Sequence, residues 1–181
     1  MTTRDRLLQD CLVYFLREGV ANVSLRPLAA AVGTSARMLL HYFGSKEALI
    51  TEVMGQVQRR LQESFEELLE SRRVGPKKDL LLEFWSVLSS TKNRAFLRLL
   101  FEVQMLALQN PKRYLRYLSR TSKSWRGLIE RALPQKRAKA EIATLYNAVV
   151  DGLLLELLAT GDLRRTSRAL QLFTDKCRGT A

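Results

Sequence analysis

Leucine occurs 34 times in this chain of 181 residues, while valine and isoleucine together occur 14 times. Leucine loses little rotamer freedom in a helix, whereas β-branched side chains are stiff at χ1, so the ratio predicts an all-α fold. The length suffices for one compact domain, or two small ones sharing a helix, with a sizeable core. No strand-like alternation, fixed-period repeat or low-complexity tract competes with this reading. An apolar content of 46% excludes a disordered basic tail, which could not bury enough surface to offset its chain entropy. Cys11 and Cys177 are too few for a disulfide framework, lack a C-x-x-C spacing and suit a reducing cytoplasm. The opening MTTRDRLLQD is charged where a signal peptide needs an apolar stretch. The most apolar segment, 149–159, is interrupted by Asp151 and Glu156 and is too short to span a bilayer. The expectation is a soluble cytoplasmic chain without a membrane partner.

Enzymatic chemistry finds few footholds. The single histidine, His41, excludes H-E-x-x-H and any multi-histidine metal site. There is no G-x-G-x-x-G, no Walker glycine loop and no G-x-S-x-G, and no local motif supports a Cys–His pair. No catalytic residue, metal or cofactor is expected.

The N-terminal fifty residues break into short helical pieces. Thr3 can cap a first helix whose Leu8, Cys11, Leu12 and Phe15 follow the i, i+3, i+4, i+7 pattern, with Gly19 placed to stop it. Ser24 precedes a short second helix ending at Val32, with Leu25, Leu28, Ala29 and Val32 inward. Pro27 in its first turn has no N–H to give the Ser24 cap. Gly33 and Thr34 form a tight turn, and Ser35 caps a third helix over 36–42, with Leu39 in the core and Phe43 beside it. Two helices joined by a short glycine-containing turn follow the helix-turn-helix plan, whose second helix enters the major groove. Ser45 caps a fourth helix with Glu47 in its first turn. Its apolar positions run on to Leu68, predicting a rigid strut of some 28 residues ended by Val74-Gly75-Pro76. Further helices are expected near 77–90, 93–109, 112–132, 135–160 and 162–177.

The stretch VSLRPLAAAVGTSARMLLHYFGSKEAL (23–49), including Tyr42-Phe43-x-Ser45-Lys46-Glu47-x-Leu49, resembles the DNA-binding domain of the TetR family of bacterial transcription regulators. In detail the resemblance covers about residues 3–55. DGLLLELLATGD (151–162) is similar to the penultimate helix and turn of many such regulators. It implies an all-α homodimer with a DNA-reading domain over 1–50 and a helical ligand-binding and dimerisation domain over 51–181. It also implies DNA contacts from Ser24, Arg26, Thr34, Ser35, Ala36, Arg37, Met38, Leu40, His41, Tyr42 and Lys46. Several have a plainer alternative. Thr34 also fills the turn, Ser35 also serves as an N-cap, and His41 also fits an idle surface position. Arg37 can bond guanine O6 and N7 through its forked guanidinium, or merely hold a phosphate. Two positions depart from the family. Arg37 stands where a small residue is usual, and Leu40 replaces a phosphate-binding tyrosine, a loss that Tyr42, His41 and Lys46 can offset. Lys46 also sits at a helix N-terminus, itself an anion site.

The remainder is less legible. Trp85, Phe101, Met105, Tyr117, Trp125 and Tyr146 are candidates for an apolar effector pocket, against plain core packing. Leu145, Val149, Gly152, Leu153 and Glu156, with Leu163, Leu170 and Phe173, are candidates for an isologous four-helix dimer interface. The net charge of +12 is distributed unevenly: residues 1–55 hold six cations and five acids, whereas 111–140 hold ten cations against Glu130 alone. Those charges either solvate a helix, steer DNA, or receive an anionic ligand or partner. The expected function is a repressor that binds a palindromic operator and is released by a small molecule. Alternatives are an effector-independent or architectural DNA-binding protein, and a helical interaction module with a vestigial helix-turn-helix.

Overall fold

The computed structural model describes residues 2–71, 80–132 and 139–179. All regular structure among them is helical: α1 (Thr3–Glu18), α2 (Leu25–Ala31), α3 (Ala36–Phe43), α4 (Lys46–Ser71), α5 (Leu80–Leu88), a 3-10 turn (Thr91–Asn93), α6 (Arg94–Gln109), α7 (Pro111–Ala132), α8 (Lys139–Thr160) and α9 (Leu163–Gly179). Two compact units result, Met1–Arg59 with Ala95–Arg120, and Arg60–Arg94 with Thr121–Ala181. The division therefore differs from a simple boundary at residue 50. Most of α6 and the start of α7 join the N-terminal helices, through contacts between residues some eighty positions apart in sequence.

In the first unit, α1 buries Leu7, Leu8, Cys11, Leu12 and Phe15. Its N-cap is Thr2, one residue before the expected Thr3. The reason is chemical: Thr2 Oγ1 accepts from Asp5 N at 3.2 Å while Asp5 Oδ2 accepts from Thr2 N at 2.9 Å. This reciprocal box needs an acid at the third helical position, and counting from Thr3 that position is Arg6. Cys11 is fully buried, and burial pushes its thiol up to about 11, so it packs as a small hydrophobe. Gly19 ends the helix with φ 78°, its N–H bonded to Phe15 O at 2.8 Å.

Beyond Gly19, α6 holds the C-terminal end of α1 by matched charges. Glu102 Oε1 accepts from Val20 N at 2.8 Å and Ala21 N at 2.7 Å. Arg98 Nη2 donates to Leu16 O at 2.7 Å. An anion thus meets backbone donors and a cation meets the orphan carbonyls of the helix terminus. A Cβ on Gly19 would lie 2.7 Å from Glu102 Oε2, so any side chain there displaces the carboxylate.

In the second unit, α5 and α8 pack on α9 around Phe84, Trp85, Leu88, Leu154, Leu157 and Leu170. Phe65 and Phe84 meet edge to face at 4.5 Å, and Trp85 Nε1 donates to Ser167 Oγ at 2.8 Å. Asp162 Oδ1 caps α9 by accepting from Arg165 N at 2.9 Å, while Arg165 pairs with Glu156 at 2.5 Å. The expected end of the strut at 74–76 and the first residues of the helices expected at 77 and 135 fall outside the described residues. α7 begins at Pro111 and not after it, because a proline in the first turn forfeits no helical hydrogen bond. α8 extends the apolar segment 149–159 to a helix of 22 residues, long and apolar enough to cross a membrane by length and composition only, a test that a core helix also passes. The segment read from sequence was short because α8 also includes the apolar turns before Val149.

Candidate nucleic-acid interface

The α2–α3 hairpin is fixed by its own turn chemistry. Gly33 takes φ 68°, a left-handed conformation that lets Thr34 N bond Ala29 O at 2.9 Å and close the turn. Ser35 Oγ accepts from Met38 N at 3.1 Å, so it is an N-cap. Ser24 occupies the N-cap position of α2 with extended backbone but makes no side-chain cap bond. Pro27, at the third helical position, has no N–H to offer, which leaves an exposed hydroxyl at the head of α2. Ser45 Oγ accepts from Ala48 N at 3.0 Å and starts α4. Beside it, Lys46 Nζ donates to Val23 O at 3.1 Å, which ties the start of α4 to the entry of α2. Lys46 therefore has a structural bond that the sequence did not announce, with two ammonium hydrogens left for another acceptor.

Along α3, Leu39 and Phe43 face the core, one turn apart. The outer side carries Arg37, Met38, Leu40 and His41, all exposed, with Ala36 and Tyr42 half-buried. The Tyr42 ring stands edge-on to His41 at 5.3 Å. At the head of α2, Arg26 is exposed, and Thr34 is half-buried in the turn. One anchoring residue escaped the sequence reading: Arg4. Its guanidinium lies 5.1 Å from the centre of the Phe43 ring, bonds Glu52 Oε1 at 2.7 Å and donates from Nε to Tyr42 O at 3.4 Å. It holds the end of α3 against α1 and α4. Its partners lie 38 and 48 positions away, so no local pattern reveals it.

A charge signal was also available and missed. Residues 19–46 contain no Asp or Glu, while Arg26, Arg37 and Lys46 fall among them. The near-neutral total of residues 1–55 conceals this, because the acids sit on α1 and α4 beyond the hairpin. An exposed helix with donors, apolar tips and no carboxylate is chemically suited to the major groove, where acids would meet phosphate repulsion.

Comparison with known proteins agrees with this geometry. Residues 12–53 match the family described as bacterial regulatory proteins, tetR family. Over these residues the chain is similar to the N-terminal domain of that family. The whole chain shares its fold with solved structures. One, from Rhodococcus sp. and assigned as a tetR-family transcriptional regulator, is 16% identical over 96% of each chain, with a TM-score of 0.76. A transcriptional regulator from Rhodococcus sp. Rha1 is 20% identical over 94% of this chain and 93% of its own, with a TM-score of 0.73. A Saccharomonospora viridis protein assigned as a transcriptional regulator, solved with choline, is 19% identical over 95% of each chain, with a TM-score of 0.66. A search of curated proteins found no match.

Outside residues 12–53, the expected effector residues do not fall in one unit. Phe101, Met105 and Tyr117 belong to the first, Trp85, Trp125 and Tyr146 to the second. Tyr117 and Trp85 are buried, whereas Met105 is 51% exposed. Trp125 packs near Phe84 at 6.0 Å and Tyr146 against Phe173 at 5.3 Å. One of the expected dimer residues, Leu170, needs correction. Leu170 is 0% exposed, turned into the core on the side of α9 that meets the rest of its own unit. The Glu156 carboxylate is engaged by Arg165 of the same chain. The other six (Leu145, Val149, Gly152, Leu153, Leu163 and Phe173) are exposed or half-buried.

Proposed function

We propose that the chain is a transcriptional regulator that binds an inverted-repeat operator as a homodimer, represses from it, and is released by a small-molecule effector. The observation that carries this is the acid-free outer face of α3, led by Arg37, in a tetR-family domain. Arg37 is assigned to base readout, with Ser24, Arg26, Tyr42 and Lys46 on phosphates and Thr34, Ser35, Ala36, Met38, Leu40 and His41 along the groove.

The dimer reading rests on α8. Leu145, Ala148, Gly152, Leu155 and Ala159 are exposed at intervals alternating three and four, the spacing of a helix–helix seam. Leu145 and Leu155 are 50% and 54% exposed, a cost that a second copy removes by covering them. The effector reading rests on the shared fold with the choline-bound protein and on half-exposed aromatic side chains such as Trp125 and Tyr146.

A gel shift on the DNA upstream of the chain's own gene tests the reading. The wild type should bind that duplex well above a shuffled one, and Arg37→Ala should reduce the specific affinity roughly 10- to 100-fold, the worth of one bidentate base contact. Equal affinity for both duplexes would favour an architectural DNA-binding protein.

A further inference from the structure

The largest unexplained feature is the basic start of α7. Lys112, Arg113, Arg116 and Arg120 all belong to the first unit and are all exposed, while Tyr114 and Tyr117 between them are buried. Arg116 and Arg120 share the outer side of the helix, and Lys112 and Arg113 are exposed just before Tyr114. Arg113 Nη1 lies 3.3 Å from Glu47 Oε1, which places this turn beside the first turn of α4, next to Lys46. The basic ridge is thus continuous with the surface that carries the helix-turn-helix.

This arrangement works against the helix that bears it. Lys112 and Arg113 stand in the first turn, where the macrodipole disfavours cations and where no acid is present. Arg116 and Arg120 are one turn apart and repel. Among the described residues, no carboxylate lies within 4.0 Å of Lys112, Arg116 or Arg120. A polyanion would offset these repulsions. Tyr114, at φ −110° and ψ 17°, kinks α7 just after Arg113, and from 116 to 120 the regular helix rises about 6 Å, over which one DNA strand presents about two phosphates. A membrane surface fits less well, since a helix lying on lipid turns a broad apolar face outward, and here Leu115 is exposed but Tyr114 and Tyr117 are buried.

We propose that Lys112, Arg116 and Arg120 form a second, sequence-independent DNA contact, binding backbone phosphates that flank the base pairs read by α3. The placement of the duplex rests on the function proposed above, but the ridge can be tested apart from base reading. The probe is a mixed-sequence duplex of 40 base pairs, titrated at stepped salt with the wild type and with the triple variant Lys112→Gln/Arg116→Gln/Arg120→Gln. A control variant, Lys92→Gln/Arg94→Gln/Arg164→Gln, removes the same charge from exposed positions of the second unit. The ridge variant should bind at least 10-fold more weakly at low salt and lose about one unit of salt slope per phosphate contact removed, about three per protomer. The control should keep the wild-type slope, and the melting temperature of the ridge variant should not fall. The ratio of specific to shuffled DNA, read with the upstream duplex, should stay unchanged. If the slope of the ridge variant equals that of the wild type, or the control loses as much, the ridge assignment is wrong. Loss of binding to vesicles of one part phosphatidylglycerol to three of phosphatidylcholine, with duplex affinity intact, would reassign the surface to lipid. Failure of the wild type to prefer upstream over shuffled DNA overturns base reading but leaves the salt-slope result to stand by itself.

Discussion

At the scale of single residues, two buried or half-buried carboxylates carry consequences beyond their local geometry. Burial pushes Asp151 from 3.8 up to about 6, against the opposing donation of Asn147 Nδ2 at 2.8 Å. A raised carboxyl pKa means the folded state holds its proton longer than the unfolded state, so stability falls as pH rises from about 4 through about 6. Asp151→Asn removes the ionised form and should raise the urea midpoint at pH 8, by a stability gain of up to about 3 kcal/mol, with the gap closing near pH 4. A gap that does not change with pH would show that ionisation is not its source. Glu102 matters through hydrogen bonding, since its carboxylate satisfies two backbone N–H groups just past α1. Glu102→Ala should destabilise by about 1–3 kcal/mol in urea unfolding, and amide exchange at Val20 and Ala21 should accelerate. Protection unchanged at those two amides would contradict the clamp.

At the scale of elements, what the sequence discloses follows how local the governing interaction is. Leu8, Cys11, Leu12 and Phe15 reveal α1 because burial repeats with the helical period, and Ser35 reveals the start of α3 because an N-cap acts over three residues. Pro27 correctly foretells that Ser24 makes no cap bond. The Thr2 box escaped because it depends on Asp5 reaching back, a reciprocity invisible when one residue is considered at a time. The α6 clamp and the Arg4 anchor escaped for a larger reason: each joins residues tens of positions apart, and nothing at either end signals the other. Leu170 shows the limit of periodicity. An apolar position on an amphipathic helix marks a buried face without saying whether the chain itself or a partner buries it, and here the chain does. The exposed side of α3, proposed to meet DNA, was legible through its motif, while the basic ridge on α7 was visible only as a charge count until Arg113 joined it to α4.

At the scale of the whole molecule, the proposal has two separable parts, assembly and reading. Assembly depends on the exposed seam of α8. Leu155→Glu places a charge among apolar side chains that a second copy would bury, so sedimentation should show the dimer giving way to a monomer at micromolar concentration, with the helical circular dichroism retained. A dimer of wild-type strength would move the interface elsewhere. Reading depends on α3 presenting the same face twice, related by the dimer dyad. The most direct measurement is selection of bound duplexes from a random-sequence DNA library by the purified wild-type chain. The account predicts enrichment of an inverted repeat whose half-sites are related by two-fold symmetry, with the Arg37→Ala protein relaxing the preference at one base pair per half-site. A selected pool no different from its input, or one lacking any dyad, would contradict it.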